Sequence, residues 1–189
     1  VSAGVLIPGA EVRVVNPETL DDAPAGEQGE LWFRTPTLMK EYLNRPDATA
    51  EAITADGWFR TGDIGRVDAD GYIFVEDRLK DMIISGGENI YSIEVERVLA
   101  EHPAVSEVAI IGVPDEKWGE SVKAVVTLEG SEEGVSDTDL IAFARERLAA
   151  YKCPKTVDFV DDMPRNPTGK ILKKELRKPY WEGRDRATV

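Results

Sequence analysis

Between Gly57 and Ile90 the chain sets three short apolar runs around two glycine turns, and this stretch restricts the fold more than any other. Residues 58–60, 64–67 and 72–75 read as strands. Asp56-Gly57 and the segment from Asp68 to Gly71 are the turns, because glycine takes up backbone conformations that side chains resist. Six residues, Glu76 to Asp81, then carry five charges and separate these runs from another, Met82 to Ile84. So dense a charge does not belong in a core, and on charge pattern alone the segment reads as a solvated connector. Ser85, Gly86 and Gly87 follow as a further turn.

The regions on either side differ in pattern. Before Gly57, Glu11 to Val15 alternates as a half-buried strand does, Asn16-Pro17 turns the chain, and Gly29 to Arg34 reads as the next strand. Pro46 to Ile53 reads as a short helix with proline in its first turn. These strands have little of their own to be buried against, which points to the end of a larger domain. After the charged run, Ser92 is expected to cap a helix through about Ala100 that presents Val95, Val98 and Leu99 on one face. Residues 105–113 and 121–128 read as core strands, and Glu129 to Val135 as an acidic loop. Ser136 is expected to cap a second helix reaching about Ala150, with Leu140, Ile141, Ala144 and Leu148 on its stripe. Thr156 to Val160 reads as a strand, Ile171 to Lys178 as a last helix, and residues 179–189 as a loosely held tail. Strands and helices alternating over this length describe a small α+β domain.

Composition narrows the chemistry. One cysteine, Cys153, permits no internal disulfide, which fits a reducing, cytoplasmic setting. With one histidine besides, His102, neither a zinc site nor a Ser-His or Cys-His pair is expected. His102 precedes Pro103 at a helix end, where a capping role fits. A net charge of −13 argues against nucleic acid or an anionic membrane surface as partner. It also requires any phosphate-bearing ligand to meet locally placed lysines and arginines. No apolar run has the length of a transmembrane span, and Val1 to Leu6 has neither the basic start nor the long apolar segment of a signal peptide.

Four segments carry a specific resemblance: Thr61-Gly62-Asp63, Asp77-Arg78-Leu79-Lys80-Asp81, the ISGGENI run at 84–90, and the PRNPTGK run at 164–170. Together, in this order and spacing, they resemble the adenylate-forming enzymes, which include acyl-CoA synthetases, luciferases and peptide-synthetase adenylation domains. Essentially the whole chain is covered, but only the back portion of such an enzyme. The resemblance implies an α+β fold: a β-rich end of the large N-terminal domain over residues 1–79, a hinge at residue 80, and a mobile C-terminal lid over residues 81–189. The lid would have a short antiparallel sheet with flanking helices. The family's phosphate loop and its Tyr-Gly-x-Thr-Glu segment are absent from this sequence, so the chain alone is expected to be inactive.

The resemblance also assigns roles. These enzymes join a carboxylate to AMP with release of pyrophosphate, and a thiol, usually that of coenzyme A, then displaces AMP. Lys170 matches the lysine that meets the α-phosphate, where negative charge gathers. Read by itself it is a surface lysine in a proline-rich turn. Asp63 matches the aspartate that accepts from both ribose hydroxyls, beside its plain role in a turn. Arg78 matches an arginine reaching ribose or phosphate, or else forms a surface ion pair with Asp77 or Asp81. Lys80 matches the hinge, where many relatives carry aspartate. Gly86 and Gly87 match the loop bordering the pantetheine tunnel. Trp118 and Tyr151 fall where some aryl-CoA ligases meet the nucleotide end of coenzyme A. Cys153 stands where those ligases place a basic contact, so Lys152 and Lys155 are expected to supply that charge. ATP or AMP and coenzyme A are the implied cofactors. Magnesium would enter with ATP in the complete enzyme, with no metal ligands in this chain. The implied partners are a small carboxylic acid, a fatty acid by overall resemblance, and the missing N-terminal domain. A non-catalytic module binding coenzyme A or a carrier protein is the alternative, as is another adenylate-forming branch; retention of Lys170 favours the enzyme.

Overall fold

The computed structural model describes residues 2–130 and 134–184, and the chain divides into two compact units after Lys80. The acidic loop expected at 129–135 lies partly outside the described residues, as does the end of the tail.

The first unit is a four-stranded antiparallel meander in the order β1-β2-β3-β4, with β1 Glu11–Val15, β2 Gly29–Arg34, β3 Phe59–Val67 and β4 Ile73–Arg78. The helix α1, Pro46–Ala52, starts with proline where its missing N–H costs no bond. The strands expected at 58–60 and 64–67 are one strand interrupted by bulges, since the register slips opposite both neighbours. The charged segment is not the expected connector either: Glu76, Asp77 and Arg78 continue β4. A strand at the sheet's edge is where charges are tolerated, and these have partners. Glu76 accepts from Arg66 Nε at 3.1 Å and from Gln28, and the nearly buried Asp77 accepts from the N–H of Arg78 at 2.7 Å. Val15, Trp32 and Trp58 form the apolar cluster of this unit.

The second unit is built on a sheet in which β8 is the hub. Its strands are β5 Ile83–Ser85, β6 Glu88–Ile90, β7 Val105–Asp115, β8 Gly119–Leu128 and β9 Thr156–Phe159. The order is β6-β5-β8-β7, antiparallel throughout, and β9 joins β8 in parallel after a crossover through α3, Asp137–Arg145. Alternation along β7 and β8 sends side chains to opposite faces. Ile110, Val122, Ala124 and Val126 pack with α3 and with α2, Ser92–Leu99. Ala109, Ile111, Val113 and Val125 pack on the other face against Met163, Ile171, Leu176 and Tyr180. Each such valine, leucine or isoleucine side chain contributes about 1.5–3 kcal/mol when fully buried.

The helix ends separate local from distant causes. Ser136 caps α3 as expected, in a full capping box with Asp139. The helix stops at Arg145 rather than near Ala150; Arg147 donates to the carbonyl of Phe143 at 3.0 Å, satisfying one of the last acceptors. Ser92 does not cap α2. Tyr91 occupies that position, and the Ser92 hydroxyl, fully buried, accepts from Lys173 Nζ at 2.6 Å. His102 accepts from the N–H of Ala104 at 3.2 Å and stands edge-on to Phe143. The last helix, α4, is Lys173–Arg177, shorter than expected and followed by a 3-10 turn, Lys178–Tyr180. The start of the tail is held, not loose: Tyr180 donates to Asp158, and Trp181 Nε1 donates to the carbonyl of Gly112 at 3.0 Å. Among the described residues no helix is long and apolar enough to cross a membrane.

Candidate functional site

The candidate residues of the first unit meet at one place on its sheet. Asp63 on β3 and Arg78 on β4 are register partners, and Arg78 Nε lies 3.5 Å from Asp63 Oδ1. Asp63 is thus a carboxylate paired with the Arg78 guanidinium, while Asp77 accepts from the backbone N–H of Arg78 and Asp81 pairs with Arg177. The arginine side chain is 66% exposed and the aspartate 35%, so both present groups to solvent. An exposed pair of this kind adds little to stability. Its chemistry suits an exchangeable polar ligand: the carboxylate accepts from hydroxyls and the guanidinium donates to oxygen anions.

Beyond it, Leu79–Asp81 forms one 3-10 turn with Lys80 exposed. Asp81 accepts from Arg177 of α4 at 2.8 Å in a largely buried pair.

In the second unit Gly86 and Gly87 are the two central residues of the β5–β6 hairpin, with φ of 63° and 86°. Both angles are left-handed, as this tight turn requires. The turn lies against the β7–β8 hairpin. The N–H of Gly86 donates to the carbonyl of Trp118 at 2.8 Å, and a Cβ on Gly86 would come within 2.6 Å of the indole. Trp118 is held by Asp115, whose Oδ1 accepts from the N–H groups of Lys117 and Trp118, both at 3.0 Å. Oδ2 of Asp115 accepts from Lys155 Nζ at 2.7 Å. This Lys155 bond, with the two backbone donors, holds the Asp115 carboxyl below its usual range against the effect of burial. Lys117 and Lys155 place their ammonium groups 4.6 and 5.6 Å from the Trp118 ring centroid. The result is a half-exposed indole bordered by two lysines and a glycine turn. Asp115 escapes a reading of the sequence for aromatic and basic residues, whereas Lys117, a basic neighbour of Trp118, is one that such a reading can find. The signal of Asp115 is the local one of an aspartate that opens a hairpin turn.

Tyr151 and Lys152 make a second group. Tyr151 is 48% exposed, and Lys152 Nζ lies 5.8 Å from its ring centroid. Lys152 is engaged by both carboxylate oxygens of Glu94 on α2, at 2.8 and 2.7 Å. Cys153 is buried, and burial pushes its thiol up from the ordinary value.

Lys170 closes a small loop. Asn166 Oδ1 accepts from the N–H of Thr168, the hydroxyl of Thr168 and the N–H of Lys170, at 3.0, 2.8 and 2.9 Å. The N–H of Asn166 donates back to the Lys170 carbonyl at 2.9 Å, and Arg165 donates to Gly169 at 2.7 Å and pairs with Glu107 on β7. Buried Met163 anchors the entry to this loop and α4 follows directly. The backbone of Lys170 is therefore fixed while its side chain is exposed, an arrangement that presents a mobile cation from a rigid base.

An acid–arginine pair for hydroxyls and phosphate, an indole between lysines, and a lysine on a pinned loop are the groups a phosphorylated nucleotide ligand calls for. Residues 1–43 match the family of AMP-binding enzymes and residues 94–170 match the AMP-binding enzyme C-terminal domain. The chain belongs to this adenylate-forming family. It is 54% identical, over 81% of its length, to a long-chain-fatty-acid–CoA ligase, FadD13, of Mycobacterium tuberculosis, of which it covers 30%. It is 51% identical over 95% of its length to a feruloyl-CoA synthase of an Amycolatopsis species, of which it covers 36%. The structure of ATP-bound MatB from Rhodopseudomonas palustris superposes with a TM-score of 0.87 at 38% identity, over 95% of this chain and 35% of that one. The chain thus spans about a third of the length of the relatives it matches.

Proposed function

We propose that this chain is the C-terminal part of an ATP-dependent, AMP-forming carboxylate–CoA ligase, and that its substrate is a fatty acid. The observation that carries the reading is Lys170, exposed on a loop pinned by Asn166 within the segment that matches the family's C-terminal domain. A compact ammonium on a long stem is suited to the charge that gathers on the α-phosphate as a carboxylate attacks it. Asp63 accepts from the ribose hydroxyls, and Arg78 donates to ribose or phosphate beside it. Lys80 is the hinge on which residues 81–189 turn between acyl-AMP formation and thiol transfer. In the second step Gly86 and Gly87 border the pantetheine arm. Trp118 stacks on the adenine of coenzyme A with Lys155 and Lys117 near its phosphates, and Tyr151 adds a further aromatic contact. Lys152 and Lys155 both have a carboxylate partner, but Lys152, 21% exposed and held by both oxygens of Glu94, is less available for a phosphate contact than Lys155, 45% exposed.

Among the described residues no cluster of three or more histidine, cysteine or acidic side chains is placed to hold a metal. Magnesium would enter with ATP in the complete enzyme, with its ligands proposed to lie outside this chain. The phosphate loop and carboxylate pocket belong to the same missing N-terminal domain, and a cytoplasmic setting fits the single thiol. The preference for a fatty acid rests on the 54% identity to FadD13, which stands beside 51% to a feruloyl-CoA synthase. The test is to supply the full-length protein with ATP, coenzyme A and either long-chain fatty acids or ferulate, and to identify the thioester by mass spectrometry. Fatty acyl-CoA and AMP are expected. Feruloyl-CoA alone would overturn the substrate, and ADP in place of AMP would overturn the reaction.

A further inference from the structure

Glu30 is a buried carboxylate to which none of these roles gives a purpose. It is 5% exposed in the first unit, and burying a carboxylate is costly unless its oxygens are hydrogen-bonded. Both are. Oε1 accepts from the N–H of Gly62 at 2.9 Å, and Oε2 accepts from Trp32 Nε1 at 2.7 Å. The first bond reaches the turn that carries Asp63.

The register explains why a side chain is needed there. Glu30 pairs with Ile64 and Trp32 with Arg60, so Thr61, Gly62 and Asp63 bulge out of β3 opposite Leu31 alone. A bulge leaves ladder groups unpaired and re-aims side chains, and here side chains replace the ladder. The Thr61 hydroxyl donates to the carbonyl of Leu31 at 2.7 Å and accepts from the N–H of Asp63 at 3.0 Å. Glu30 takes the N–H of Gly62, a residue with φ of 69°. The bulge delivers Asp63 opposite Arg78. Trp32 fixes the second oxygen of Glu30, and its own buried indole has Arg60 at 4.7 Å and Arg13 at 5.5 Å from the ring centroid.

We infer that Glu30, oriented by Trp32, is a positioning residue that sets the bulge and so aims Asp63 at the ribose; this rests on the ribose role proposed for Asp63. Replacing the carboxylate by an amide keeps its volume but turns a donor toward one of the two N–H groups, which releases either Gly62 or Trp32.

The test compares ATP with 2′-deoxy-ATP in acyl-AMP formation by the full-length protein, followed through pyrophosphate release. The unmodified protein is expected to prefer ATP. Glu30→Gln should lower kcat/KM for ATP about tenfold and bring the ratio between the two nucleotides close to one. Trp32→Phe, which removes the one N–H and keeps an aromatic ring though a smaller one, should shift the ratio the same way by less, and carries the test if Glu30→Gln does not fold. Equal losses with both nucleotides, leaving the ratio unchanged, would reduce Glu30 to a structural residue and overturn the inference. Asp63→Asn separates the two levels. If it too leaves the ratio unchanged, the ribose role itself fails; if it alone abolishes the preference, only the positioning role does.

Discussion

Gly86 and Gly87 occupy the same turn and have the same backbone requirement, yet they face different surroundings. An L-residue in the left-handed region is strained by roughly 1–2 kcal/mol, and both positions share that cost. At Gly86 an added methyl would also meet the Trp118 indole at 2.6 Å, whereas at Gly87 nothing lies within 4 Å. Gly86→Ala is therefore expected to destabilise the protein more than Gly87→Ala, by at least about 1 kcal/mol, and to shift the fluorescence of Trp118. Denaturant unfolding of the two variants measures this. Equal losses would mean that the indole moves aside without cost. The turn itself was legible, because two adjacent glycines between apolar runs announce it. The indole against it was not, since 32 positions separate Trp118 from Gly86 and no local pattern links them. Ser92 shows the same division: a serine before an apolar helix reads as a cap, but Lys173, 81 residues on, claims its hydroxyl.

At the scale of elements, alternation made β1 readable, whereas β7 and β8 were readable as core strands from near-continuous apolar runs, since both of their faces are buried. Alternation failed at β4, where Glu76 to Arg78 lie on an edge strand: Glu76 and Arg78 pair across the sheet with Arg66 and Asp63, and Asp77 accepts from the adjacent N–H of Arg78. The C-terminal end of the second unit was misjudged for a related reason: its charge conceals buried attachments. Lys173 pairs with Glu96 and Arg177 with Asp81, each at 2.7–2.8 Å and mostly buried, so α4 is tied to α2 and to the first residue of its unit. The 3-10 turn beyond is tied to the sheet by Tyr180, whose hydroxyl donates to Asp158, itself paired with Lys123. Burial and the Asp158 carboxylate push the Tyr180 hydroxyl up to about 12, above the ordinary value of about 10. The unfolded chain thus releases this proton first as pH rises. The contribution of Tyr180 is complete below about pH 10 and is lost on the way to about pH 12. Tyr180→Phe should be less stable at neutral pH and should lose less stability between pH 10 and 12 than the unmodified protein. Unfolding free energies across that range check this, and parallel pH slopes would contradict it.

At the scale of the whole molecule, the chain divides after Lys80 into a β-sheet unit carrying Asp63 and Arg78 and an α+β unit carrying the remaining candidates. Which residues were candidates was legible from short motifs, because turns and phosphate-facing loops need particular residues at fixed spacing. Their supports, Glu30, Asp115 and Asn166, were not singled out, since a carboxylate or amide that braces a turn looks like any other polar residue until the fold closes around it. Lys170 tests the central proposal most directly. Its alkyl stem is exposed and its loop is held by Asn166 and Arg165, so Lys170→Ala should leave the fold intact. In the full-length protein, acyl-AMP formation from ATP and a fatty acid should fall by about a hundredfold or more, as for loss of a charge-stabilising group. Transfer of supplied acyl-AMP to coenzyme A should stay within a few-fold of the unmodified rate. Timing the two half-reactions separately gives the answer: equal loss in both, or unimpaired acyl-AMP formation, would contradict the role assigned to Lys170.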